Sequence, residues 1–272
     1  MRTKKLIIFM IVFSIIFLNS CYADDNKLIN NIELSEKRNS YEILNSGEIK
    51  ILYDGGQNTA IVPIDVGENF KLSDDSVSFY ITDKKTAICY GGVNSPVRVI
   101  FSNDKGANWT SADIDAAESG NPYPFKNIGF SSPDDGWLVL GGGIGLGHQD
   151  NFIYETTDGG KTWFEIGNLT RIYNGLMTCA AFASTDIGVV CFRYYEDYIS
   201  YMYRTEDRGK TWEKVNITLP DEYDKYKANI TSIDFYGSKG EIHISLLKKD
   251  TGEIGGALVM STRDFGKTWE IA

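Results

Sequence analysis

The sequence predicts an all-β fold: a β-propeller of about five blades, the first of them irregular. A four-bladed or incompletely closed ring is the alternative. Three observations carry this expectation. One eight-residue pattern recurs four times at near-constant spacing. Between the copies lie short stretches of alternating apolar and polar residues, the period that buries one side of a strand. Sixteen Tyr, fourteen Phe and twenty-seven Gly in 272 residues also favour strands and tight turns over helices.

The recurring pattern is Ser/Thr-x-Asp-x-Gly-x-x-Trp. Its copies begin at Ser102, Thr156, Thr205 and Thr262. They place Asp104, Gly106 and Trp109, then Asp158, Gly160 and Trp163, then Asp207, Gly209 and Trp212, and last Asp264, Gly266 and Trp269. A degenerate fifth copy starts at Asp54, with Thr59 where the others have Trp. The five Asp positions are 50, 54, 49 and 57 residues apart, enough for four short strands and their loops, one blade each. The pattern suits a turn between antiparallel strands. Asp accepts backbone N–H bonds, Gly supplies positive φ, and Trp opens the next strand and packs beneath the turn.

Strand patterns fall around each copy. The second repeat predicts strands over 77–81, 86–90, 97–102 and 109–114, and the third over 127–131, 136–140, 152–156 and 163–166. The fourth predicts 178–183, 188–192, 200–205 and 212–217, and the fifth 230–235, 241–246, 257–261 and 269–271. The first is truncated, with strands only over 41–44, 49–53 and 59–64.

On these residues, about 48–272 of the chain resembles the Asp-box, or BNR, repeat propellers: sialidases, sortilin-type receptors and photosystem II assembly-factor-type proteins. The resemblance implies that each box joins the third and fourth strands of a blade, away from the ligand face. It implies a fold and no particular activity.

The N-terminus reads as an export signal. Arg2, Lys4 and Lys5 precede an apolar run from Leu6 to Leu18, too short to cross a bilayer comfortably. Leu18-Asn19-Ser20-Cys21 resembles a bacterial lipobox, with Cys21 as the lipid attachment site. Residues 1–20 are then a lipoprotein signal peptide, 21–40 a polar tether and 41–272 the propeller. The expected location is the outer face of the bacterial cell membrane, held by the lipid; free secretion after Ala23 is the alternative. A short helix around 28–37 competes with the tether. Cys179 and Cys191 flank a turn and are paired as a disulfide in one reading, buried thiols in the other. With His148 and His243 the only histidines and no Cys-x-x-Cys, no metal or cofactor is expected. A formal charge of −10, three units more negative without the leader's cations, argues against nucleic acid. A monomer is expected.

If the boxes occupy one face, the other is built by the loops 91–96, 116–126, 141–150, 169–176, 193–198, 219–227 and 248–255. These carry Tyr123, Phe125, Arg171, Tyr173, Arg193, Tyr194 and Tyr195 as candidate ligand-binding residues, with Tyr198, Tyr223 and Tyr226 nearby. Aromatic faces beside Arg suit sugars, peptides or protein surfaces. The Gly-rich run 141–147 lacks the strand–loop–helix setting and the Lys-Ser/Thr of a phosphate loop, and reads as a flexible connection. Sialidases require an Arg triad, and their Phe/Tyr-Arg-Ile-Pro motif is absent here. Arg208 and Arg263 lie in boxes, Arg98 and Arg204 in third strands and Arg38 ahead of the domain, leaving Arg171 and Arg193. No catalytic set is assigned. The expected function is a non-enzymatic surface module that binds an envelope glycan, peptide or protein. The alternative is a divergent sialidase-like glycoside hydrolase using loop acids such as Glu196-Asp197 or Asp221-Glu222.

Overall fold

A computed structural model describes residues 39–64, 77–92, 95–115, 123–143, 145, 148–173, 175–193 and 199–272. Residues 1–38, where the signal peptide, most of the polar tether and the competing short helix are expected, lie outside these. The described chain forms five antiparallel sheets in sequence order, the blades of a β-propeller. Blade 1 holds β1 (Ser40–Ile43), β2 (Ile49–Tyr53) and β3 (Asn58–Ile61); blade 2 holds β4 (Ser78–Ile81), β5 (Thr86–Tyr90), β6 (Val97–Ser102) and β7 (Thr110–Ile114). Blade 3 holds β8 (Phe125–Phe130), β9 (Gly136–Gly141), β10 (Asn151–Thr156) and β11 (Phe164–Asn168). Blade 4 holds β12 (Leu176–Phe182), β13 (Gly188–Arg193), β14 (Tyr201–Thr205) and β15 (Glu213–Val215). Blade 5 is taller, with β16 (Tyr226–Tyr236), β17 (Lys239–Lys248), β18 (Ile254–Thr262) and β19 (Glu270–Ile271). Its extra length absorbs ends of the segments 219–227 and 248–255 that read as loops in the sequence. Each four-stranded blade pairs its strands in chain order, and the first strands β4, β8, β12 and β16 stack beside one another.

The outer hairpins all close in one way. The hydroxyls of Ser102, Thr156, Thr205 and Thr262 each donate to the following Asp Oδ1 at 2.8 Å. Each also accepts the N–H of that Asp and, at 2.8–3.0 Å, of the Gly two residues on. The carboxylate then accepts the N–H of the residue before Trp and that residue's side chain: Asn108, Thr162, Thr211 or Thr268. That residue was an unassigned position in the sequence pattern, and it is as much part of the turn as the Asp. Gly is also not the only left-handed residue. Lys105, Arg208 and Phe265, just before it, have φ of 55°, 64° and 60°, which costs a side-chain-bearing residue about 1 kcal/mol each. The N–H groups of Gly159, Arg208 and Phe265, in that same position, bond back to the inner turns at Asp134, Asp186 and Ser238.

The Trp side chains lie just outside the strands they were expected to open, since β7, β11, β15 and β19 begin one residue later. Trp163, Trp212 and Trp269 donate Nε1–H to the turn Gly carbonyl, while Trp109 Nε1 has no partner. Their rings sit 6.1–6.3 Å from Phe130, Phe182 and Phe235, the ends of the first strands. Each Phe in turn lies on a Gly opening the second strand, Gly136, Gly188 or Gly240, where any Cβ would collide with the ring. Thus in blades 3, 4 and 5 the turn, the Trp, the Phe and the Gly form one packed unit.

Asp54 repeats this geometry with substitutes. Asn39 Oδ1 accepts the Asp54 N–H in place of a hydroxyl, and Asn58 Nδ2 donates to Asp54 Oδ2 as Asn108 does to Asp104. This turn joins β2 to β3, so the three strands of blade 1 correspond to the second, third and fourth of the others.

Neighbouring blades are clasped by cations at the turn face. Lys105 meets Asp54 at 2.9 Å, Arg208 meets Glu155 at 2.8 Å, and Arg204 Nε donates to the Phe265 carbonyl at 2.6 Å. Buried Lys85 donates to the Gly159 carbonyl and lies over the Phe101 and Phe130 rings; burial pulls its pKa down, Asp134 opposing. Deeper in, Ser78 Oγ accepts the Ile128 N–H and Asn127 Oδ1 the Ala180 N–H. Three apolar clusters join blades 1–2, 2–3 and 3–5; among the described residues none joins blade 5 to blade 1.

Two predictions follow from the turns. Thr205→Val leaves the buried Gly209 N–H unpaired and is expected to cost about 2 kcal/mol, with Thr205→Ser close to wild type. Equal urea midpoints for wild type and Thr205→Val would refute this account. For Asp158 and Asp264, burial pushes the carboxyl pKa up, but the hydrogen bonds of Thr162 and Thr156, or of Thr268 and Thr262, outweigh it and hold both at about 2. The Thr211 hydroxyl and N–H hold Asp207 at about 2 as well. Because these folded-state values lie below the unfolded carboxylate value, their stabilisation is full above about pH 4 and is lost as pH falls towards 2. Thermal melts between pH 5 and pH 2 are expected to show this decline, shallower in Asp207→Asn.

Candidate functional site

The turn face also carries the connections from first to second strands. The opposite face is made by the β5–β6, β9–β10, β13–β14 and β17–β18 connections and by the links between blades. Its best-built part tops blades 3 and 4. Gln149, 4% exposed, donates Nε2–H to the Gly142 carbonyl and accepts the Met177 N–H on Oε1. Fully buried Asn151 donates from Nδ2 to the Gln149 and Gly175 carbonyls, and its own N–H donates to Thr170 Oγ1. Asn168 Oδ1 caps the 3-10 turn Leu169–Arg171 by accepting the Thr170 N–H. These bonds tie the β9–β10 loop, the blade 3–4 link and the start of β12 into one polar knot. One acceptor in it, Asn151 Oδ1, is buried without a partner. Above, within the Gly-rich segment, Gly142 N–H donates to the Asp150 carbonyl, and Gly145 and His148 exchange N–H···O bonds.

The knot positions two of the candidate residues at the surface. Arg171 is exposed on the 3-10 turn, and Arg193 is exposed at the end of β13, where it pairs in register with Leu176 of β12. Neither guanidinium makes an ion pair among the described residues. Arg171 stands on the link between blades 3 and 4 and Arg193 at the end of the second strand of blade 4, both exposed cations in an acidic molecule. The planar, permanently charged guanidinium matches a carboxylate or phosphate in two-bond geometry.

The aromatic candidates are placed differently. Tyr123 is 3% exposed, edge-on to Phe152 at 6.2 Å, and its carbonyl accepts the Lys126 ammonium at 2.6 Å. Phe125 begins β8, half-buried against the core, so the 116–126 segment is not loop throughout. Tyr173 is half-buried against blade 4, 4.7 Å from Tyr201 and 5.6 Å from Phe192. Tyr223 and Tyr226 also pack on the core, and Tyr226 covers Gly255. These rings use their area inside the fold rather than lining a groove. Tyr194, Tyr195, Tyr198 and the Glu196-Asp197 pair lie outside the described residues. Asp221 and Glu222 are exposed on a 3-10 turn.

The sequence reading missed Gln149 and Asn151, the residues that organise this face. A polar pair flanking Asp150 at the mouth of a strand carried a weak signal, because exposed loop amides look alike in sequence. Lys126 was missed too: it is buried, and desolvation pulls its pKa down.

No family model matches the chain, and no curated protein matches it. Among solved structures, it is similar to a GH43 endo-arabinanase from Bacillus licheniformis, at 14% identity over 70% of this chain and 72% of that one, with a TM-score of 0.41. It is also similar to YCF48 bound to D1 peptide, at 16% identity over 86% and 77%, TM-score 0.41. A third is the Trypanosoma rangeli sialidase in complex with the inhibitor DANA, at 13% identity over 72% of this chain and 37% of that one, TM-score 0.42. At this distance the likeness describes architecture and carries nothing about ligands.

Proposed function

We propose that this chain is a non-enzymatic binding module, anchored to the outer face of the cell membrane by a lipid on Cys21. In this reading its four Ser/Thr-x-Asp-x-Gly-x-x-Trp turns are Asp-boxes with a purely structural task. The opposite face binds an anionic group, most simply a carboxylate, of an envelope glycan, peptide or protein. One observation carries the reading: Arg171 and Arg193 stand exposed, with no ion pair among the described residues, on a backbone that the buried Gln149–Asn151 knot holds in place. A backbone held by such bonds loses less entropy on binding than a free loop, which favours anion capture by the cations it carries. Tyr194 and Tyr195, directly after Arg193 in the chain, are proposed to contact the same ligand.

The test is retention on native envelope fractions, resolved into glycan and protein. Because both Arg side chains are exposed, Arg171→Ala with Arg193→Ala is expected to leave the melting temperature unchanged within about 2 °C. The same variant is expected to weaken retention at least tenfold, and added salt is expected to weaken the wild type similarly. Undiminished retention by the double variant would remove this face as the site. Turnover of a fluorogenic glycoside by the purified protein, lost on changing one loop carboxylate, would overturn the non-enzymatic part. The anchor is tested separately: labelled palmitate should enter the wild-type chain and not Cys21→Ser.

A further inference from the structure

We propose that Cys179 and Cys191 are a redox pair that closes as a cross-strand disulfide inside blade 4. The inference goes beyond the binding reading and stands without it. β12 and β13 run antiparallel with Cys179 directly opposite Cys191. Residues so paired have Cα atoms about 4.5–5.5 Å apart and both Cβ atoms on one side of the sheet, within the span a disulfide bridges. A register irregularity between Met177 and Cys179 adds local backbone adjustability at one partner. The structure holds both as thiols, 5% and 0% exposed. Burial first, and then the hydrogen bond and charge of the neighbouring Cys179 sulfur, pushes the Cys191 thiol far up. The third described cysteine offers the contrast. Cys89 lies in blade 2 opposite Val99 and Ser78, and burial pushes its thiol up to about 12, with Lys126 opposing.

The chemistry requires a disulfide oxidant, either a small-molecule disulfide or an oxidoreductase. The Cys179 thiolate attacks one oxidant sulfur, forming a mixed disulfide and expelling one thiolate. Cys191 then loses its proton, and its thiolate attacks the Cys179 sulfur, forming the Cys179–Cys191 bond and expelling the second thiolate. Two protein thiols are oxidised by two electrons, and one oxidant disulfide is reduced to two thiols that take up the two protons. Burial and the raised Cys191 pKa oppose both thiolate formation and access in the folded blade. The bond therefore forms while blade 4 is still open, during folding, and is shielded afterwards. It ties β12 to β13 two residues before Arg193 and three after Leu176.

The full chain, unfolded in guanidinium with dithiothreitol, is refolded with either a reduced–oxidised glutathione mixture or dithiothreitol. It is then unfolded without reductant, alkylated with iodoacetamide and cut with trypsin. Both cysteines fall in the single fragment 172–193, which contains no internal Lys or Arg. The glutathione arm is expected to yield that fragment unalkylated and two mass units light, with the Cys89 fragment alkylated. The dithiothreitol arm is expected to yield it doubly alkylated. Oxidation of already folded, reduced protein by oxidised glutathione is expected to run at least tenfold slower than during refolding. Double alkylation in both arms, or a bond from either residue to Cys89, would overturn the proposal. So would equal oxidation rates in folded and refolding protein, as regards the timing.

Discussion

One hydroxyl–carboxylate pair, repeated in four blades, underlies most of this architecture. A two-residue left-handed turn is a strained way to reverse a strand, and three of the four blades place a residue with a side chain there. What makes it tenable is that nearly every N–H the turn exposes is taken up locally. The Ser or Thr hydroxyl takes two, the Asp carboxylate takes one or two more, and the inner turn takes another. Once the turn is rigid, the Trp beneath it is fixed. The Phe and Gly that pack against it are then constrained in register. Blades 3 to 5 are thus specified from the outer turn inwards.

The two faces of the propeller solve different problems. At the turn face the blades are pinned by charge: Lys105 to Asp54, Lys85 to a carbonyl, Arg208 to Glu155 and Arg204 to a carbonyl. Such links gain little from exposed pairs alone, but Lys85 and Arg204 are largely buried, and losing either would leave polar groups stranded. At the other face the amides of Gln149 and Asn151 hold backbone to backbone, and Arg171 and Arg193 make no ion pair among the described residues. Rigidity from neutral hydrogen bonds leaves charge available for a ligand.

The blade register was legible because Asp, Gly, Trp and a hydroxyl at fixed offsets leave few alternatives to a tight outer turn. The degenerate copy at Asp54 was legible only as a position. Of its working parts, Asn58 sits at an unassigned position of the pattern, and Asn39 comes from fifteen residues away. The Phe–Gly contacts were written in the sequence as Phe130 with Gly136, Phe182 with Gly188 and Phe235 with Gly240, yet nothing local distinguishes them from ordinary strand ends. The candidate site was read less well. A Tyr in a connecting segment has the same composition whether its ring faces water or the next blade, and Tyr123 and Tyr173 turned inwards because neighbouring blades offered apolar surface there.

By itself, then, the sequence determined what depends on short separations: the turns, their spacing, the strand count of blades 2 to 5, and the division of the chain into two faces. It also identified Cys179 and Cys191 as near a common turn. Only the tertiary structure decided what depends on residues dozens of positions apart. It set Cys179 against Cys191 in register, buried Lys85 and Lys126, and folded the aromatic rings into the blade junctions. It also let Gln149 and Asn151 carry Arg171 and Arg193 to the surface. The reason is physical. An outer turn satisfies most of its hydrogen bonds within eight residues, so its sequence must carry the information, whereas burial is settled by whichever surface arrives from the neighbouring blade.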